Sequence, residues 1–74
     1  MIKYVCIEAH PSGFLVGSIY IINIFLSKEE AFEDFIEIYD INNKPIGEWW
    51  IDLDKYFIPL AEWRDKQIES IIND

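Results

Sequence analysis

The sequence predicts a mainly β (α+β) fold, with several short strands followed by one amphipathic helix. Runs rich in β-branched and aromatic residues, bounded by Pro, Gly or Asn, indicate the strands. After Pro59 the apolar residues change to a helical period. With 74 residues, 51% of them hydrophobic, the chain is expected to fold as one domain, residues 1–74, around a dense core. The strands are expected within residues 3–58 and the helix over residues 59–73.

The first two strands are predicted from continuous β-forming runs. Residues 3–8, KYVCIE, are apolar on both faces, which is typical of a buried strand. The turn AHPSG follows, and residues 14–26, FLVGSIYIINIFL, are again β-rich. Gly17 interrupts this run, so we expect a bulge there or a close approach of another backbone segment.

Residues 27–33 fit either a helical turn or a loop. Ser27 and Glu30 have the spacing of a capping box, and Phe32 begins a set of apolar residues at helical intervals. The segment that follows, DFIEIYD, is instead β-prone. We therefore predict at most one helical turn, over residues 27–32.

A hairpin is predicted next, from strands over residues 34–40 and 46–51. The connecting INNKP contains Asn42 and Asn43, which tolerate the left-handed conformation that tight turns require. The consecutive Trp49 and Trp50 must point to opposite faces of their strand. Only one of them can enter the core, and we expect Trp50 to be the exposed one.

The terminal segment, PLAEWRDKQIESIIND, is predicted to be a helix because Pro59 suits a first helical turn. Its apolar residues fall on one arc of a helical wheel: Leu60, Ala61, Trp63, Ile68, Ile71 and Ile72. The opposite arc is polar: Glu62, Asp65, Lys66, Glu69 and Ser70. This pattern predicts a helix that packs on the sheet through its apolar face.

The charge is strongly acidic, with fourteen acidic residues against six basic ones, a net charge of −8. Phosphate recognition and anionic membranes both require the opposite sign, so we expect neither direct nucleic-acid binding nor membrane binding. The charge fits a basic partner, a basic host protein or a nucleoprotein complex, or alternatively serves solubility.

Cysteine usage and the chain start indicate the cytoplasm. Cys6 is the single cysteine, which fits a reducing compartment. The start, MIKYVCIEAHPSG, lacks the features of a signal peptide, and the longest apolar run, eight residues, is too short for a membrane span.

Three segments resemble the small SH3-like β-barrel proteins that are common in bacteriophage genomes: YVCIEAHPSGFLVGSIYII, FIEIYDINNKPIGEWW and KYFIPL. The matching positions are Cys6, Ile7, Gly17, Tyr20, Asp40, Phe57 and Pro59. The LVG step is one residue tighter than the family pattern, and the insertion before the hairpin is long and acidic. The resemblance covers residues 3–60 and implies a small barrel of about five antiparallel strands over residues 3–58, the last of them containing FIPL, and a phage origin. Most proteins of this kind have no assigned activity.

Catalytic and metal-binding patterns are weak, and we predict neither an enzyme nor a cofactor. A nucleophilic pair of Cys6 and His10 would need a third group to orient the imidazole, and none is evident. Asp52 and Asp54 would face the same way on an extended segment, but further oxygen ligands for a cation are missing. The acidic run over residues 29–34 could attract a cation loosely, although such runs are usually solvated.

Binding is better supported, because acidic and aromatic residues alternate over residues 28–40. Carboxylates would steer a basic partner and desolvated aromatic rings would supply affinity. The residues we predict to contact the partner are Glu29, Glu30, Phe32, Glu33, Asp34, Phe35, Glu37, Trp50, Asp52 and Asp54. The structural alternative is that Phe32 and Phe35 close the open end of a small barrel.

These observations favour a small acidic protein-binding module. The expected function is that of a phage-encoded inhibitor of a host nucleic-acid-handling or defence protein, acting by acidic mimicry or steric blockade in the host cytoplasm. The alternative is a homo-oligomeric structural or accessory phage protein, for instance a homodimer, without catalytic activity.

Overall fold

The computed structural model describes residues 2–29 and 31–72, with side chains up to residue 67. The elements in chain order are β1 Ile2–Cys6, β2 Ile19–Leu26, β3 Asp34–Tyr39, β4 Pro45–Ile51, α1 Leu53–Tyr56, β5 Phe57–Pro59 and α2 Leu60–Ile72. The strands form one open antiparallel sheet in the order β4-β3-β2-β1-β5. The prediction of a mainly β fold with five antiparallel strands and a C-terminal helix is confirmed. The sheet does not close into a barrel.

The β1–β2 connection is a long turn, and β2 starts five residues later than the predicted strand over residues 14–26. Gly13 and Gly17 have φ values of 92° and 88°, which belong to the left-handed region and favour glycine. The Gly17 N–H donates to the Cys6 carbonyl at 2.7 Å, so the expected close backbone approach occurs at this glycine. The irregularity within β2 lies elsewhere, between Ile24 and Leu26.

The segment between β2 and β3 is a turn, and no helix forms over the described residues 27–29 and 31–33. Ser27 Oγ accepts a hydrogen bond from the Glu29 N–H, and the Ala31 N–H donates to the Lys28 carbonyl. These two bonds satisfy the backbone locally without propagating a helix. Glu30, the other half of the predicted capping box, lies outside the described residues.

The β3–β4 hairpin agrees with the prediction to within one residue at each end. Its turn is organised by Asp40, whose Oδ1 accepts hydrogen bonds from the N–H groups of Asn42 and Lys44. Asn43 has a φ of 65°, the left-handed conformation expected of it.

The chain after β4 contains two elements that periodicity did not predict, the single-turn helix α1 and the short strand β5. β5 pairs with β1 through Phe57 opposite Cys6 and Pro59 opposite Tyr4. Because Pro59 ends this edge strand, α2 begins at Leu60 and not at the predicted residue 59. The predicted last helical residue, 73, lies outside the described range.

The two faces of the sheet are covered by different parts of the chain. The inner face carries the core, which is made of Tyr4, Cys6, Phe14, Tyr20, Ile22, Ile36, Ile38, Ile51, Leu53 and Phe57. Phe14, from the β1–β2 connection, lies over this face with its ring 5.0 Å from Trp49 and 5.5 Å from Phe57.

On the outer face, α2 packs against β1 and β5 and confirms the predicted docking of the helix on the sheet. Val5 and Ile58 are paired on this face and are buried, although they do not belong to the inner core. Leu60 and Trp63 of α2 are partly buried. Side chains from residue 68 onward, including Ile68, lie outside the described part. The described side chains of α2 leave Phe25 and Trp50, on β2 and β4, about half exposed.

Candidate functional site: an aromatic and acidic sheet face

Three aromatic side chains lie in contact on the outer face, and we call them the aromatic row: Phe25, Phe35 and Trp50. Phe35 and Trp50 are direct partners in the β3–β4 register, and their rings stack with centroids 4.8 Å apart at an interplanar angle of 24°. The Phe25 ring lies 5.7 Å from that of Phe35. Trp50 is 52% exposed and Phe25 50% exposed. Strand alternation explains the outward placement of Phe35 and Trp50, because Ile36 and Ile51 enter the core from the same strands. Phe25 lies where the β2–β3 register shifts, between Ile24 and Leu26.

Next to the aromatic row, Glu37 and Glu48 face each other directly across β3 and β4, and we call them the acidic pair. Like charges in direct cross-strand register are destabilising. Within the described residues, neither carboxylate is within 4.0 Å of a basic nitrogen. The pKa of Tyr39 is raised, chiefly by hydrogen bonding of its hydroxyl to Glu37 and further by the charges of Glu37 and Glu48. The acidic pair is thus a locally uncompensated negative site beside exposed aromatic rings.

Asp52 and Asp54 meet a single cation, the ammonium group of Lys28. Lys28 Nζ lies 3.0 Å from Asp52 Oδ1 and also donates to Asp54 Oδ2. These hydrogen bonds, first to Asp54 and then to Asp52, raise the pKa of Lys28 well above its usual range. The segment is not extended as predicted, because Asp54 lies in α1, but both aspartates contact the same lysine, which neutralises part of their charge.

Asp34 is not part of an exposed acidic surface, which corrects its predicted placement there. It is only 5% exposed. Its Oδ1 accepts a hydrogen bond from the Lys28 N–H at 2.8 Å, and its Oδ2 accepts one from the Leu53 N–H at 3.1 Å. The carboxylate therefore joins the turn after β2 to the start of α1. The alternation of Asp34 with Ile36 on the inward positions of β3 is the sequence signal for this role.

The remaining predicted residues occupy the β2–β3 turn. Phe32 is fully exposed, and Glu29 and Glu33 are exposed beside it. The alternative in which Phe32 closes the end of the core is therefore wrong, and Phe35 lies half-buried in the aromatic row. Glu30 lies outside the described residues.

Phe25 and Glu48 belong to the site but were absent from the predicted set. Glu48 occupies an outward position of β4, directly opposite Glu37, and the ring of Phe25 lies next to that of Phe35. Alternation along β4 is the sequence signal for Glu48, and it becomes informative only once the pairing register is known. Alternation gives no signal for Phe25, because the β2–β3 register shifts between Ile24 and Leu26. The predicted exposure of Trp50 is confirmed.

The two candidate nucleophile-pair residues are engaged in local contacts. Cys6 is fully buried, burial raises the pKa of its thiol, and Sγ donates to the Glu8 carbonyl at 3.3 Å. His10 Nδ1 accepts a hydrogen bond from the Ser12 N–H, and its ring packs edge-on against Tyr56. Across the described part of the chain, no group of three or more His, Cys, Asp or Glu side chains is placed to hold a metal ion.

A concavity of about 210 Å³ lies between α1, β5 and α2, away from the aromatic row. Ile7, Ile58 and Pro59 form its apolar wall, and Asp54, Glu62 and Lys66 line its polar side. Its charged groups, two carboxylates and one ammonium group, are of both signs.

No protein-family model, curated protein or solved structure matches this chain. In the part of the chain that the structure describes, no helix combines the length and the apolar character needed to span a membrane. The function is therefore inferred from the geometry of the outer face.

Proposed function

We propose that this protein is a small acidic protein-binding module that contacts a basic protein through the outer face of β2, β3 and β4. The observation that carries the proposal is the aromatic row, three contacting rings of which Phe25 and Trp50 are about half exposed. Aromatic side chains dominate the energetics of protein interfaces when a partner desolvates them. The net charge of −8 would steer a basic partner and oppose direct binding of nucleic acid.

The acidic pair supports binding over a purely structural role for this face. Stacking of Phe35 on Trp50 can stabilise the hairpin by itself. The direct opposition of Glu37 and Glu48 has no such benefit, because their repulsion weakens the same hairpin. A basic partner would compensate the repulsion between the two carboxylates, so the acidic pair favours a binding role for this face.

The acidic charge and small size of the chain, together with the resemblance to small phage SH3-like barrel proteins, motivate the class of partner. The return of β5 to pair with β1, directly after the single-turn helix α1, supports an SH3-like relationship for the sheet order β4-β3-β2-β1-β5. On this basis we propose a phage-encoded inhibitor of a host nucleic-acid-handling or defence protein. It would act in the host cytoplasm by acidic mimicry or steric blockade, without catalysis.

A homo-oligomeric accessory protein is the second candidate, and the edge strand β4 favours it. β4 is seven residues long and has a neighbour on one side only, whereas the opposite edge strand β5 has three residues. An unpaired edge can add a strand from a second copy. Light scattering at tens of micromolar concentration measures the oligomeric state, and a plain monomer would exclude this candidate.

The test of the binding proposal is capture from nuclease-treated bacterial lysate at low and high salt, with matched variants. We expect immobilised wild-type protein to retain a basic protein, and Trp50→Ala to lose it. Leu15→Ala, an exposed apolar residue in the β1–β2 connection, is the control and should retain it. Equal retention by Trp50→Ala and wild type would reject the outer face as the interface.

The charge contribution is tested by reversal at matched sites. Glu37→Lys with Glu48→Lys should abolish capture, whereas Glu62→Lys with Asp65→Lys changes the net charge equally on the exposed side of α2 and should weaken it only slightly. Equal losses in both double variants would mean that bulk charge, and not the acidic pair, attracts the partner.

A further inference from the structure

We infer that the group seated on the outer face is an arginine side chain of the partner, bound where the aromatic row meets the acidic pair. This inference rests on the proposed function and specifies the chemistry of its contact. It follows from the arrangement of four residues, Phe35, Glu37, Glu48 and Trp50, which we call the four-residue block.

The register places these four side chains at the corners of a small rectangle on one face. Phe35 is opposite Trp50, and Glu37 is opposite Glu48, each pair across β3 and β4. Paired side chains have Cβ atoms about 5 Å apart, and residues two apart on a strand are separated by about 7 Å. A flat cation stacked on the exposed ring of Trp50 would therefore lie about 7 Å along β4 from Glu48, a separation that a glutamate side chain and a guanidinium group can bridge together.

The two carboxylates of the block would be compensated by a cation from another molecule. Glu37 and Glu48 oppose each other, and among the described residues the ion pairs involve Lys28 with Asp52 and Asp54 only. Two carboxylates without further ligands are a poor metal site, which agrees with the lack of a metal-ligand group in the described part of the chain. A second copy docking face to face would bring four carboxylates together, so self-association through this face is disfavoured.

Arginine fits the block better than lysine. Its guanidinium group is planar, stacks on aromatic faces and can bond carboxylates through two parallel N–H groups. The indole of Trp50 is half exposed and is held from behind by the stacked ring of Phe35, so a flat platform is already formed. The ammonium group of lysine is a compact, strongly hydrated charge that gains less from such a platform.

The test is an NMR titration of ¹⁵N-labelled protein at low salt with two blocked tripeptides that carry arginine or lysine between two glycines. We expect the arginine peptide to shift the Trp50 indole N–H and the amides of Glu37 and Glu48, and to bind roughly two- to fivefold more tightly than the lysine peptide. The Glu37→Gln, Glu48→Gln variant should lose this response. The control variant Glu62→Gln, Asp65→Gln has the same net charge and should keep it. Equal affinity for both peptides, or an unchanged response in the first variant, would overturn the inference.

The titration tests the arginine inference and the lysate capture tests the proposed function, so a negative result in one leaves the other open. If capture depends on Trp50 but the arginine peptide leaves the block unperturbed, the arginine inference is overturned and the proposed function stands. If the arginine peptide binds at the block but capture is indifferent to Trp50, the arginine site is supported and the proposed function is overturned.

Discussion

Replacing Asp34 with alanine would remove the acceptor of two backbone N–H groups that lie far apart in the chain. The Leu53 N–H is buried and the Lys28 N–H is partly buried, and they donate to the carboxylate at 3.1 and 2.8 Å. A buried donor left without a partner costs about 1–3 kcal/mol. We count this cost in full for the buried Leu53 N–H and at about half for the partly buried Lys28 N–H. The free energy of unfolding is then expected to fall by about 2–4 kcal/mol. A domain of 74 residues typically has a total stability of about 4–11 kcal/mol.

The loss is measurable by urea unfolding followed by tryptophan fluorescence and circular dichroism. With a urea dependence of about 1 kcal/mol per molar, the midpoint should fall by about 2 M or more. Glu33→Ala, which removes the exposed neighbouring carboxylate, is the control and should unfold like the wild type. If Asp34→Ala does not fold, Asp34→Asn retains one acceptor oxygen and should lose roughly half as much. A variant Asp34→Ala within about 0.5 kcal/mol of wild type would refute this account of the buried carboxylate.

Gly47→Ala is expected to destabilise the fold by about 1–3 kcal/mol in urea unfolding, because the added Cβ would lie 2.9 Å from the ring of Trp49; unchanged stability would contradict the packing of this indole on β4. Cys6 is fully buried and its thiol pKa is raised by burial, so iodoacetamide should label it, by mass spectrometry, only in denatured protein. Labelling of folded protein at the denatured rate would contradict that burial. Burial, followed by the charge of Asp54, raises the pKa of Tyr4 above its ordinary value of 10.0. Its contribution to stability is therefore complete below pH 10.0 and is lost as the pH rises through the higher folded-state value, which unfolding measured across alkaline pH would detect. Alkaline stability that is equal in Tyr4→Phe and wild type would exclude this linkage.

Elements defined by local patterns were predictable from the sequence. The β3–β4 hairpin follows from alternation and from turn chemistry, since Asp40 and Asn43 fix the turn through bonds and a conformation that belong to those residue types. α1 and β5 have four and three residues, too few for a periodic signal. β5 exists because Phe57 and Pro59 pair with β1, a contact between distant parts of the chain.

In the candidate site, too, some features could be predicted from local sequence patterns and others depend on contacts between distant parts of the chain. Exposure of Trp50 was predictable because two consecutive residues of a strand cannot share a face. The acidic run alone predicts an exposed Asp34, but β3 begins at that residue and turns its side chain inward. Phe25 and Glu48 could not be assigned, since their neighbours depend on a register that shifts near Ile24 and again near Ile38.

The separation of the two sheet faces has a consequence for variation of this protein. Alternation along β2, β3 and β4 directs Ile22, Ile36, Ile38 and Ile51 to the core and leaves the outward positions free of core contacts. Surface changes away from such contacts usually alter stability by less than about 0.5 kcal/mol. A library randomised at the outward positions should therefore retain the fold while it samples new partners. The positions to randomise are Asn23, Glu37 and Glu48. Phe35 and Trp50 are kept, because their stacking stabilises the hairpin.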